Sequence, residues 1–205
     1  MLRKGNLFVI SGPSGAGKGT IIREVLKSTR DIKLSVSVTT RDSRRGETEG
    51  INYYFKSDEE FEKMISEEGF LEYAKVYDHY YGTPKEPVLK AVEQGENIIL
   101  EIDIQGALQV KKSYPEAIFI FILPPSMAEL KNRIVLRGSE TAEALKLRFA
   151  SALEEIAYIE KYDYYIVNDT LASSTRSLYA IIEAERCRIR KDVADIIKNF
   201  KEELQ

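Results

Sequence analysis

The chain has no tryptophan and, in 205 residues, only one cysteine and one histidine. The single cysteine, Cys187, excludes an internal disulfide. With no export-type leader at the start of the sequence, the expected compartment is the reducing cytoplasm. The single histidine, His79, leaves no basis for a His-based metal cluster or a serine triad. No apolar run reaches the roughly 18 residues that cross a bilayer. Positive charge is not in excess either. The 30 Lys and Arg face 33 Asp and Glu, a formal net charge of −3, whereas a dedicated nucleic-acid binder is basic overall. Repeats and low-complexity segments are absent.

What is present is an alternation of short apolar runs with amphipathic stretches, the pattern of an α/β fold with a mainly parallel sheet. Strands are expected at 7–11, 32–39, 97–103, 117–123 and 164–168. Several are apolar on both faces, as strands covered by helices on each side should be. Helices are expected from just after Gly17 to about Ser28, then at 58–67, 85–94, 105–112, 126–136, 141–160 and 172–203. The stretch beginning near residue 37 is less continuously apolar and rich in tyrosine and arginine. It reads as an insertion that binds something.

"GPSGAGKGT", residues 12–20, follows an expected strand and opens an expected helix. In that context it reads as a phosphate cradle. Gly12, Gly15 and Gly17 let the backbone turn tightly, so that amides from Ser14 through Gly19 face phosphate oxygens. The following helix adds the positive end of its dipole. Lys18 reaches the outer phosphates. The hydroxyl that commonly follows this lysine and ligates magnesium is missing, because Gly19 stands there and Thr20 comes next. A helix turns about 100° per residue, so Thr20 does not reproduce that geometry. Mg²⁺ is then expected to be held mainly by phosphate oxygens and water, with Thr20 bonding a phosphate oxygen or a metal-bound water.

The acceptor is suggested by two stretches. In "SVSVTTRDSRRGETEGINYYF", residues 35–55, Arg41 and Arg44 follow a strand and can converge on one anion, with Tyr53 adding a hydroxyl. In "GFLEYAKVYDHYYGTP", residues 69–84, Glu72 sits on a short strand, with Tyr81 and Thr83 just beyond a turn. A carboxylate accepts both N1–H and N2–H of guanine, and hydroxyls serve its acceptors. Adenine, with an acceptor at N1, leaves the carboxylate unpaired.

These stretches, with "ILEIDIQGALQVK", "FILPPS", "LRGSET" and "YIVND" in order and spacing, resemble the guanylate kinases over essentially the whole chain. The resemblance implies an α/β P-loop sheet flanked by helices, with an inserted mixed α/β GMP-binding region at 37–87 and a helical lid at 130–150. The core would comprise 1–36, 88–129 and 151–205. It implies ATP and GMP as substrates with Mg²⁺. Arg41, Arg44, Tyr53 and Tyr81 would hold the GMP phosphate, and Glu47 would orient the arginines. Ser37, Glu72 and Thr83 would read guanine. Glu101 would lie near the GMP end, and Asp103 near the magnesium waters. Two acids at i and i+2, at the carboxyl end of a strand, do point to one face.

Arg133 and Arg137 share a helix face, and Arg148 lies on the next helix. In the resemblance such arginines form a mobile lid. Arg133 and Arg148 would contact phosphates, Arg137 would pack on adenine, and Asn168 would lie near the adenine. No general base is needed, because the acceptor is already an anionic oxygen. His79 is expected to be structural or exposed, and Cys187 a packing residue. Two competing readings are a kinase for another monophosphate, opposed by Glu72, and a non-catalytic protein-binding module of the same fold, opposed by Lys18 and the lid arginines. A homo-oligomer is compatible with the charged C-terminal helix; nucleic acid and membrane are not expected partners.

Overall fold

The computed structural model describes residues 4–29, 31–76, 78–135, 142–189 and 193–203, with the backbone alone at 142–148 and 195–196. Its centre is a five-stranded, wholly parallel sheet in the order β2-β7-β1-β8-β9. The strands are β1 (Leu7–Ser11), β2 (Ile32–Leu34), β7 (Asn97–Glu101), β8 (Ile118–Leu123) and β9 (Tyr164–Val167). Successive side chains point to opposite faces. Phe8 and Ile10 of β1, with Ile99, Ile118, Ile120 and Ile122, therefore enter one core, beneath α1 (Lys18–Ser28) and α7 (Leu171–Cys187). Leu7 and Val9, with Ile98, Leu100 and Phe119, enter the other, beneath α3 (Lys85–Glu93) and α4 (Ile104–Ser113). This two-sided burial explains why these strands read as unbroken apolar runs.

A second, four-stranded sheet in the order β4-β3-β6-β5 carries the inserted region. It comprises β3 (Ser37–Thr39), β4 (Tyr53–Phe55), β5 (Phe70–Val76) and β6 (His79–Pro84). Its own small core forms where Phe61 of α2 (Asp58–Ser66) stacks between Phe70 and Tyr80, with ring centroids 4.4 and 5.0 Å away. The helix is fixed at its start by a reciprocal cap between Ser57 and Glu60.

Two expected elements need correction. The stretch 32–39 is two strands rather than one. Its first half, β2, pairs with β7 in the central sheet, and its second half, β3, pairs with β4 and β6 in the other. The chain changes sheets at Ser35–Val36, so tertiary pairing divides what strand propensity alone joins. The stretch 172–203 is also divided, into α7 and α8 (Val193–Glu202). Cys187, at the end of α7, is exposed rather than packed. His79, half-buried, opens β6 opposite Val76. The helices α5 (Met127–Val135) and α6 (Ala142–Ile156) flank residues 136–141, which are outside the described residues. Among the described residues, no helix is long and apolar enough to cross a membrane.

Candidate active site

The loop between β1 and α1 has the backbone its glycines allow. Gly12, Gly15 and Gly17 have φ of 142°, 90° and 93°. Gly15 serves packing as well: a Cβ there would stand 3.1 Å from Leu130 and from Ile134, so α5 lies directly on the loop. No side chain caps α1, which leaves its first-turn amides for an anion. Lys18 curls over the loop and donates from Nζ to the carbonyls of Gly12, at 2.6 Å, and Pro13, at 3.2 Å. Ser14 and Thr20 are exposed, and Thr20 Oγ1 accepts from Arg23 at 3.4 Å.

Asn168, expected near the adenine, is buried beneath this loop. Its Nδ2 donates to Ala16 O at 2.7 Å, and its Oδ1 accepts from Ser174 at 3.0 Å. Both ends of the amide are thus spent on holding the loop's shape. Asn168→Ala is expected to leave the Ala16 carbonyl without its side-chain donor, while the Ser174 hydroxyl keeps the Thr170 carbonyl at 3.0 Å, costing about 1–3 kcal/mol of stability. Urea denaturation of the variant checks this. Arg133 closes the same corner, donating to Glu129 Oε1 at 2.8 Å and to Asn168 O at 3.1 Å. Arg137 and the side chain of Arg148 lie outside the described residues.

On the acceptor side the expected residues form one connected set. A cavity of about 170 Å³ is lined by Ser37, Tyr53, Thr83 and Glu101. Arg41 makes a two-pronged ion pair with Glu47, at 2.9 and 3.1 Å, and its guanidinium lies 5.5 Å from the Tyr53 ring centre. Glu47 also accepts from the Arg44 backbone amide at 2.8 Å. The ion pair, first, and this amide, second, hold the Glu47 carboxyl below its usual range. The same pairing with Glu47 strengthens the proton affinity of Arg41. Tyr81 packs edge-on to Tyr53 at 6.1 Å.

Glu72 is buried at 8% exposure and accepts from Thr83 Oγ1 at 2.5 Å. A β-bulge at Leu71 aims it there. Phe70 pairs with Pro84 and Glu72 with Thr83, so the extra residue, Leu71, turns into the central core instead. Burial pushes the Glu72 carboxyl up, with the Thr83 hydroxyl opposing and the Asp103 charge adding to the rise. Gly106, in the first turn of α4, gives the carboxylate room, since a Cβ there would stand 2.9 Å from Glu72 Oε2. The positive end of α4 thus faces an anion. Asp103 caps the same helix, its Oδ1 accepting from Gly106 N at 2.7 Å.

Cradle and acceptor cavity meet at Glu101, opposite Ile10 in the β1–β7 register and on the cavity wall. The family profile described as guanylate kinase matches residues 4–185. The chain belongs to the guanylate kinase family. It is 56% identical over 201 residues to the guanylate kinase of Caldanaerobacter subterraneus subsp. tengcongensis, covering 98% of this chain and 97% of the relative. It is 56% identical over 202 residues to that of Clostridium acetobutylicum, covering 98% and 96%. The crystal structure of guanylate kinase from Anaplasma phagocytophilum superposes with a TM-score of 0.71 at 34% identity, covering 91% of this chain and 89% of that one.

Three contributors in this guanylate kinase fold went unnoticed in the sequence. Gly106 clears space for Glu72; a glycine in the first turn of a helix was the available signal. Ser174 supports Asn168 from α7. Glu155, in the last turn of α6, feels Lys18. Burial raises its carboxyl, the lysine charge draws it down, and Asp103 pushes it up again. Nothing local in the sequence marks the latter two.

Proposed function

We propose that the chain transfers the γ-phosphoryl group of ATP to GMP, giving ADP and GDP. The observation that carries this reading is the buried Glu72–Thr83 pair, set on the start of α4 beside the acceptor cavity. An ionised carboxylate there takes the paired donors of guanine, and an adenine ring would leave it buried and unpaired. Ser37 and Thr83 serve the remaining polar edge. Arg41, Arg44, Tyr53 and Tyr81 hold the acceptor phosphate, with Glu47 fixing the Arg41 guanidinium in one plane.

Gly12 through Thr20 take the donor phosphates, and Asn168 acts on the ATP side by holding the loop. Phosphoryl transfer passes through a loose transition state with charge spread over the moving oxygens, so positioning and charge stabilisation supply most of the catalysis. Lys18, Arg41, Arg133, Arg137 and Arg148 provide that positive charge, and lid closure over 130–150 excludes water. The attacking oxygen is already anionic and needs no base. The described residues contain no group of three or more metal-binding side chains. Asp103, the cap of α4, and Thr20, exposed in the first turn of α1, are oxygen donors of the kind Mg²⁺ takes, and they would reach an ion carried by the nucleotide through water. The ion would supply charge neutralisation across the phosphates.

The test is ADP formation from ATP with Mg²⁺ against GMP, dGMP, AMP, UMP and CMP. Turnover with guanine nucleotides and background rates with the others is the expected result. Turnover with AMP or UMP would overturn the acceptor assignment.

A further inference from the structure

We infer that Gln109 and Ser113 set the guanine preference of the acceptor site by clamping the backbone on either side of Glu72: they are positioning residues for the base-reading carboxylate. This rests on the kinase reading above and deepens it. Glu72 stands on β5, the outer strand of its sheet. Backbone groups on the far side of an outer strand have no neighbouring strand to pair with. Here α4 supplies the partners. Gln109 Oε1 accepts from Tyr73 N at 3.1 Å, and Gln109 Nε2 donates to Tyr73 O at 3.0 Å. One side-chain amide thus makes both bonds that a neighbouring peptide would make, and the two partners fix which end of the amide faces which. Ser113 Oγ donates to Leu71 O at 3.0 Å, with a longer contact of 3.4 Å to Val110 O. Leu71 and Tyr73 are the residues directly before and after Glu72.

Gly106, Gln109 and Ser113 are spaced i, i+3 and i+7, so they share one face of α4. That face acts on one carboxylate in two ways. Gly106 leaves it room, and the other two hold the chain that carries it. Val110, between them, joins Leu71 in the central core. The clamp is not needed to satisfy the backbone. Tyr73 is 38% exposed, and water would take both of its groups. Water does not fix the distance between β5 and α4, whereas the Gln109 amide does. The base demands that distance. Guanine offers N1–H and N2–H side by side, and a carboxylate takes both only when its two oxygens lie level with them. The Thr83 hydroxyl orients Oε1 alone. The place of the whole carboxylate depends on where the bulged outer strand lies against α4. A carboxylate that swings keeps a single bond more easily than a matched pair. The clamp therefore favours guanine over hypoxanthine, which has N1–H and no 2-amino group.

The experiment compares GMP with inosine monophosphate as acceptors, at saturating ATP and Mg²⁺, in the parent, Gln109→Ala, Ser113→Ala and Ser113→Thr. Exchange of the Tyr73 amide proton is followed by NMR. In Gln109→Ala, KM for GMP should rise by about tenfold, the worth of one hydrogen bond to a charged group. The preference for GMP over inosine monophosphate in kcat/KM should fall by about the same factor. KM for ATP and the melting temperature should change little, and the Tyr73 amide should exchange faster. Ser113→Ala, which loses one bond, should show the same pattern at about threefold. Ser113→Thr keeps the hydroxyl and should return to the parent. A GMP preference that stays at the parent value in Gln109→Ala, despite faster Tyr73 exchange, overturns the inference. So does a matching rise in KM for ATP, which would assign the two residues to general stability. If Gln109→Ala does not fold, the two Ser113 variants decide, and an unmoved preference in Ser113→Ala overturns the inference. Failure of the parent to use GMP at all would remove the kinase reading as well, whereas parent turnover with an unmoved preference in the variants removes this inference alone.

Discussion

Replacing Glu72 with alanine is expected to lower kcat/KM for GMP by roughly 10⁴-fold, the scale on which a site built for polar pairing rejects an unpaired partner. Nearly all of the loss should fall on the acceptor, with KM for ATP little changed, because Glu72 lies against β6 and α4 and not against the cradle. Glu72→Gln should be almost as damaging. Its amide offers one acceptor oxygen and a competing donor where guanine presents two donors. Steady-state kinetics with GMP varied at saturating ATP measures both.

Glu72→Ala should also change how stability responds to pH. Burial raises the folded-state Glu72 carboxyl above the ordinary value of 4.5. The folded protein therefore holds this proton more tightly than the unfolded chain does. The stabilising contribution is complete below the unfolded pKa and is lost as pH rises through the folded one. At neutral pH the ionised Glu72 is a cost to the fold, kept for its pairing with guanine. Glu72→Ala removes that pH-dependent cost but also leaves the buried Thr83 hydroxyl without its acceptor, so the difference in melting temperature between variant and parent should move in the variant's favour as pH rises through the raised pKa. Activity runs the other way. GMP needs the ionised carboxylate, so KM for GMP should climb as pH falls toward the raised pKa, beginning at higher pH than an ordinary glutamate would give. A KM–pH profile that stays flat down to pH 4.5 would contradict this assignment.

The cradle was legible in the sequence because its chemistry is local. Nine consecutive residues set the turn, the amides and the lysine, and the observed φ angles of Gly12, Gly15 and Gly17 follow from them. The acceptor residues were legible as types, and their grouping came from the resemblance and not from any local pattern. Ser37, Tyr53, Thr83 and Glu101 come from β3, β4, β6 and β7, and it takes two sheets to bring them to one cavity. What failed was decided by pairing at a distance. "IKLSVSVT" is one β-prone run, and only competition between two sheets divides it at Ser35–Val36. The bulge at Leu71 has no glycine or proline to announce it. It follows from two demands on neighbouring side chains: Leu71 belongs in the central core and Glu72 beside Thr83. The supporting role of Asn168 shows the same limit, since its partners Ala16 and Ser174 lie on other elements that no local pattern joins to it.

Lys18→Met is expected to reduce kcat by about 10²–10³-fold, comparable to removing one preorganised donor from a site where charge develops. The side chain is preorganised in the literal sense. Its Nζ is held over the loop by the carbonyls of Gly12 and Pro13, so little reorganisation is needed to meet a phosphate. Methionine keeps the stem and its packing but removes the charge and three donors. The fold should survive, because the loop's shape is secured separately by Asn168 beneath Ala16 and by α5 against Gly15. Lys18→Arg should not rescue the rate. A planar guanidinium cannot reproduce a compact ammonium placed between two carbonyl oxygens. A second readout separates lost charge from lost structure. The Lys18 charge draws the Glu155 carboxyl down against burial and Asp103, so in Lys18→Met that carboxyl should titrate at higher pH, as followed by carbon-13 NMR of labelled glutamate. A slow enzyme with the shifted Glu155 and an unchanged melting temperature identifies Lys18 as the charge on the transferring phosphoryl group, whereas a slow enzyme with a collapsed melting temperature would assign it to the loop's stability instead.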